Sequence, residues 1–301
     1  MDCFHKKVMG LQTIFANQVK TIFNDQSVFD EWESSLGSGR TGYCEGTLME
    51  KAGFNVSFIQ GNALPPAATA FRDELACQPY KAVGLSAILH PYNPKIPTAH
   101  MNIRRFEVLR SSGEPIIWFG GGFDLTPYFP IKKQVINWHV KTKEFLDKYD
   151  KRLYSCWKKD CDDYFYLKHR QESRGVGGIF FDDFLMTDLN QTTELVLGVA
   201  ELFIDLYFDI CSSNKSLFFT STEKDFQLWR RGRYVEFNLL QDRGTLFGLQ
   251  SRGRTESILI SLPPTTKWIY KGEERFEHFN RLLQHYLKPK DWIKMQESAF
   301  N

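Results

Sequence analysis

The stretch His100-Met-Asn-Ile-Arg-Arg-Phe-Glu-Val108 reads as a β-strand with two unlike faces. A period of two places His100, Asn102 and Arg104 on one side and Met101, Ile103 and Arg105 on the other. The preceding run, Gly84-Leu-Ser-Ala-Ile-Leu-His-Pro91, aligns Ser86, Ile88 and His90 in the same way. Working outward, strands are predicted over 83–90, 100–109, 116–119, 179–181, 234–240 and 258–262. Between Trp32 and Gln60, short apolar groups alternate with Gly and Ser in GSGRTGYCEG and AGFNVSFIQG, a pattern of strands joined by turns. Residues 64–68, which include Pro65-Pro66, read as a loop.

Helical spacing appears at the start, where Phe4, Val8, Leu11, Phe15, Val19 and Ile22 share one face of an amphipathic opening helix within 1–25. Further helices are predicted over 131–147, 153–168, 194–210 and 275–286. Strands that come in groups favour an α+β sheet with antiparallel pairing over a regular βαβ repeat. No long linker, low-complexity tract or internal repeat divides the 301 residues, so one domain is expected.

Composition narrows the function classes. With 38 basic and 36 acidic residues the chain lacks the footprint of a nucleic-acid binder, so any anion site is local. The 26 Phe, 12 Tyr and 7 Trp suit a thick core or a pocket for a flat apolar ligand. Cys3, Cys44, Cys77, Cys156, Cys161 and Cys211 are scattered, with no CxxC pair, which argues against a disulfide framework, a zinc ribbon or a local iron–sulfur motif. The first twenty residues have neither a signal-like apolar run nor an Arg-rich bias, and no apolar run is of membrane-spanning length. A cytoplasmic protein is expected.

Three stretches carry possible chemistry. The face His100, Asn102, Arg104 offers an imidazole, an amide and a guanidinium, a set able to hold a carboxylate and exchange a proton, although a solvated strand face has the same pattern. Trp118-Phe-Gly-Gly-Gly-Phe-Asp-Leu-Thr-Pro127 sets three glycines before Asp124. Glycine permits close backbone approach that would bring the carboxylate to a ligand, and a structural turn is the alternative. Arg230, Arg231, Arg233, Arg243, Arg252 and Arg254 make 230–254 unusually Arg-rich, as a multiply carboxylated ligand, intersubunit ion pairs or an exposed strand edge would each explain. His90, His100, His139 and His169 lie on different predicted elements without HExxH spacing, so separate hydrogen-bonded histidines are favoured over a metal cluster.

Taken together, HPYNPKIPTAHMNIRRFEV, WFGGGFDLTP, CDDYFYLKHR, RGVGGIFFDDF, FQLWRRGRYVEFNL and DRGTLFGLQSRGRTESILISLPP, in this order, resemble the oxygen-dependent coproporphyrinogen III oxidase family, as does the later KPKDWI. The resemblance spans most of the chain. It implies a homodimer built on a large, flat antiparallel sheet flanked by helices on both faces. The implied reaction turns the ring A and ring B propionates of coproporphyrinogen III into vinyl groups, giving protoporphyrinogen IX. O2 is the oxidant, CO2 and H2O2 are released, and no organic or redox cofactor is needed.

The resemblance also carries residue roles. His100 matches a proton donor and Asp124 a carboxylate thought to engage pyrrole N–H groups. Ser86, Asn102, Ile103, Arg104, Arg252, Gly253 and Arg254 match substrate-binding positions. His90, His100, His139 and His169 match histidines for which manganese is suggested in some bacterial members, and 234–269 resembles a dimerisation region. The chain departs from the family pattern at Arg252, where Gly is usual and whose side chain would add a carboxylate contact or crowd the loop. It departs again at Arg105, where an aromatic residue is usual and which is expected at the surface or an interface. A non-catalytic tetrapyrrole-binding protein and a histidine-dependent metal hydrolase are the readings from other classes.

Overall fold

The computed structural model describes residues 1–64, 75, 78–110, 113–250 and 253–297. The chain opens with helix α1 (Asp2–Phe23) and then lays down six consecutive strands. These are β1 (Val28–Ser34), β2 (Gly37–Cys44), β3 (Lys51–Gly61), β4 (Tyr80–His90), β5 (Thr98–Val108) and β6 (Ile116–Thr126). Helices α2 (Lys132–Leu146) and α3 (Leu153–Tyr164) and the small hairpin β7 (Tyr166–Leu167) and β8 (Glu172–Ser173) precede β9 (Gly177–Phe184). The rest is helical: α4 (Leu189–Asn214), α5 (Ser221–Leu240), α6 (Arg243–Gln250), α7 (Thr255–Leu259), α8 (Gly272–Arg275), α9 (Glu277–Gln284) and α10 (Trp292–Glu297).

The main sheet has seven strands in the order β1-β2-β3-β4-β5-β6-β9, every neighbouring pair antiparallel. The α+β expectation and its large antiparallel sheet are therefore met. Alternation fixes the two faces as the sequence implied. Phe54, Leu85, Met101, Ile103, Phe123 and Ile179 are fully buried on one face. Against them pack α1, through Phe15 on Phe54 and Phe4 on Phe119, and α4, through Phe203 on Phe123. Burying a side chain of this size contributes roughly 1.5–3 kcal/mol, so this face is the main source of stability. The other face is partly covered by the segment from α5 to α7: Ser257 meets Thr41, and the carbonyl of Ser261 accepts a hydrogen bond from His90.

Two predicted strands are helices. Residues 234–240 form the last turns of α5, because Thr220 and Glu223 make a capping box and Phe226, Arg230, Arg233, Tyr234 and Phe237 continue a helical stripe. A seven-residue window showed only local alternation. Residues 258–262 belong to the end of α7 and the turn before Pro263-Pro264, with Arg254 as N-cap. In the opposite direction, β6 runs on through Gly120-Gly-Gly122, which the sequence reading treated as the strand's end. Of the loop expected at 64–68, residues 65–68 lie outside the described residues, as does Cys77. Arg105 is not on the surface: its side chain is mostly buried on the core side of β5, paired with Glu107.

Candidate active site

A cleft of about 340 Å³ opens on the polar face of the sheet, between the strands and the α6–α7 segment. Its floor comes from Asn55 on β3, Ser86 on β4 and His100, Asn102 and Arg104 on β5. Register explains the grouping, since Ser86 pairs with Asn55 and with Asn102 across adjacent strands. Gly253 and Arg254 line the far wall together with Trp32 of β1. Thus Ser86, His100, Asn102, Arg104, Gly253 and Arg254 converge on one cleft. Ile103 does not: its side chain is in the core on the opposite face, and only its backbone is near the site. Arg252 lies outside the described residues.

Asp124 sits across the ladder from His100 on β6 but does not reach the cleft surface. It is 1% exposed, and both of its oxygens are engaged. Arg174 donates from Nε to Oδ2 at 3.0 Å and from Nη2 to Oδ1 at 2.7 Å, a two-pronged pair. His100 Nδ1 lies 3.3 Å from Oδ1. The expectation that Asp124 meets pyrrole N–H groups directly is not the geometry found; its carboxylate backs His100 instead. Burial alone would raise the Asp124 pKa, but the charge of Arg174 and the hydrogen bonds from His100 and Arg174 hold it below the usual carboxylate range. Nδ1 is thus the ring nitrogen turned to Asp124, and Nε2 is the one turned away from it.

Arg174 was missed in the sequence because nothing local distinguishes it. Its guanidinium lies 4.2, 4.5 and 4.6 Å from the rings of Phe165, Tyr234 and Phe237, and Nη1 donates to Asn238. Aromatic faces and a paired carboxylate are what a buried guanidinium needs. The partners come from three segments: β6, the residue that follows α3, and α5.

A second group lies at the β6–β9 side. Asp182 pairs with Arg104 at 2.9 Å and with Arg243 at 3.5 Å. The Arg243 guanidinium rests near the rings of Tyr164 and Phe180, which stack on each other. The neighbouring Asp242 accepts from the Tyr164 hydroxyl and from Thr245 at the start of α6. Asp182, Asp242 and Arg243 all line the cleft. Asp182 could have been found by the period-two rule, because Ile179 and Phe181 take the core face and leave Phe180 and Asp182 for the other. At the opposite end, Arg254 is ion-paired with Asp30. The other arginines of the rich region are structural: Arg230 holds Glu172, Arg231 holds Glu50 and Arg233 lies beside Glu172 and Glu236.

The four histidines do not converge, and the residues present do not fit a shared metal. His90 is buried with Nε2 on the Ser261 carbonyl and Nδ1 beside the Thr98 hydroxyl. His139 is buried among core aromatics, donating to the Val176 carbonyl and accepting from Tyr154. His169 pairs with Glu236. Among the described residues no group of three or more His, Cys, Asp or Glu side chains is placed to hold a metal ion. Burial drives both enclosed rings toward the neutral form, His90 well below its ordinary value and His139 to about 3. Among the described residues no helix is long and apolar enough to cross a membrane.

The chain matches the family model described as coproporphyrinogen III oxidase over residues 3–292. It is 49% identical over 249 residues to the oxygen-dependent coproporphyrinogen-III oxidase of Francisella tularensis subsp. novicida (strain U112), covering 83% of this chain and 81% of that protein. The same figures hold for the enzyme of that name from F. tularensis subsp. mediasiatica (strain FSC147). A sheet face that gathers the matched motifs into one cleft, and a similarity running through nearly the whole chain, lead to one conclusion: the chain belongs to the coproporphyrinogen III oxidase family.

Proposed function

We propose that this chain catalyses the O2-dependent oxidative decarboxylation of the ring A and ring B propionates of coproporphyrinogen III, giving protoporphyrinogen IX. The observation that carries the reading is a single proton-handling unit, Arg174–Asp124–His100, opening into a cleft with arginines at both ends. In each round a propionate loses CO2 and, from its β-carbon, the equivalent of a hydride, leaving a vinyl group. O2 takes those two electrons with that hydrogen and one further proton, becoming H2O2. The electrons come from the substrate, so the protein's task is to position groups and to supply or accept a proton.

His100 is suited to the proton step because Asp124 fixes the orientation of its ring. Asp124 acts through His100 and is a positioning residue; Arg174 keeps it ionised. Arg104, with Arg243 beside it, and Arg254 at the far wall hold propionates, while Ser86 and Asn102 offer short polar contacts to the macrocycle. No step is routed through a metal. A cytoplasmic homodimer is proposed with this activity. Leu240 and Trp268, within 234–269, and Tyr270, just beyond it, leave large apolar surfaces exposed, which supports assembly through that region.

The test is aerobic incubation of chelator-treated protein with coproporphyrinogen III, following protoporphyrinogen IX, CO2 and H2O2 against an anaerobic control. Production of all three only with O2 is expected. Binding without consumption of O2 would reduce the chain to a tetrapyrrole binder. Sedimentation should give a dimer mass that falls to the monomer's in Trp268→Glu.

A further inference from the structure

Asp182 is held in place by an unusual amount of local structure. The β6–β9 ladder shifts register between Phe119 and Gly121, so that Asp182 and Asp183 together face Gly120. Such a bulge re-aims a side chain, and here Asp183 takes a φ of 50°, in the left-handed region. The N–H of Asp183 donates to Asp182 Oδ1 at 3.1 Å. Gly120 supplies the floor: a Cβ there would lie 2.8 Å from both Arg104 Nε and Asp182 Oδ1. The Arg104–Asp182 pair lies on the space that glycine leaves, with Arg243 closing the other oxygen at 3.5 Å.

We infer that Asp182 is a positioning residue that acts as an exchange partner for the substrate, occupying in the empty cleft the place between Arg104 and Arg243 that a propionate takes when bound. This rests on the reading of the cleft as the site of propionate decarboxylation. A tightly neutralised carboxylate is a poor one to lose as CO2, since ion pairing that is stronger in the ground state than in the transition state slows the step. Two propionates must be processed by one Arg174–Asp124–His100 unit, so the macrocycle has to be presented twice. Each presentation breaks carboxylate contacts to Arg104 and Arg243. Asp182 re-neutralises the pair at that moment and lowers the cost of letting go.

The test compares wild type with Asp182→Asn and Asp182→Glu. Binding is read with coproporphyrin III, the oxidised tetracarboxylate, by its fluorescence, and the two decarboxylations are read separately in single-turnover experiments. Asp182→Asn is expected to bind the probe about fivefold more tightly, with KM falling in step, and to lower the ratio of the second to the first decarboxylation rate by about fivefold. The monovinyl tricarboxylate intermediate then accumulates. Asp182→Glu, which keeps the charge, is expected to restore much of that ratio. Weaker or unchanged binding with both rates falling together would make Asp182 a structural brace and overturn the inference, as would wild-type behaviour throughout. If Asp182→Asn does not fold, Asp182→Ser puts the same question with the charge removed. Failure of the wild type itself to consume O2 would instead sink the functional reading.

Discussion

The two faces of strands β4 to β6 are made by the same backbone and do opposite things. On one side Leu85, Met101, Ile103 and Phe123 are sealed under α1 and α4; on the other Ser86, Asn102, His100 and Arg104 look into a cleft. The apolar face gains from every methyl group buried, whereas the polar face keeps its charges partly exposed at the cleft. Asp124 breaks this division. It belongs to the polar face, yet it is as buried as the core, and the caged Arg174, with His100 beside it, makes that tolerable.

Removing that compensation should have the largest effect. Arg174→Met leaves Asp124 buried without its cation, and urea denaturation is expected to show a loss of about 3–5 kcal/mol together with near-complete loss of turnover. A loss under about 1 kcal/mol would mean that the carboxylate finds water or protonates at little cost.

Next comes the division itself. Ile103→Ala is expected to cost about 2–5 kcal/mol of stability, while Asn102→Ala, one residue away on the other face, should cost less than about 0.5 kcal/mol but raise KM. Equal destabilisation by the two would erase the contrast between the faces.

The buried histidines extend the comparison to pH. His90 and His139 are neutral in the fold, with His139 depressed from 6.5 to about 3. Below the ordinary value the unfolded chain binds protons that the folded chain refuses. Their contribution is therefore complete above that value and is lost as pH falls through the window down to about 3 for His139. One pH unit below the ordinary value, His139 should remove on the order of 1 kcal/mol, with His90 acting in the same direction. Urea melts should show this slope, and it should flatten in His139→Gln; an unchanged slope would mean that the ring is protonated inside the fold.

Gly120 is expected to affect binding more than stability. Ala there displaces side-chain atoms of Arg104 and Asp182, not backbone, so stability should fall by less than about 1 kcal/mol while KM rises about tenfold. Gly122→Ala is the contrast, because its Cβ would lie 2.1 Å from the Ile179 carbonyl at a φ of 146° and should damage folding first.

How much was legible follows from range. Alternation in 83–90 and 100–109 fixed strands, faces and the placing of Ser86, His100, Asn102 and Arg104 together, because a side chain's face depends only on its own strand. The same rule places Asp182 on the polar face, opposite Ile179 and Phe181. Strand prediction failed at 234–240 because a short apolar run suits either period; the capping box fourteen residues upstream settles it. The histidines that the resemblance grouped are separated in space, a fact that no spacing along the chain records.

The sequence by itself determined the family, the antiparallel sheet and which strand face lines the cleft, since these rest on ordered motifs and local alternation. Only the tertiary structure decided that Asp124 stands behind His100, that Arg174 cages it and that Asp182 lies between Arg104 and Arg243. Each of these depends on charges brought together from separate strands and helices, such as the Arg104–Asp182 pair 78 residues apart, and what a charge costs or contributes is set by neighbours in space, not by neighbours along the chain.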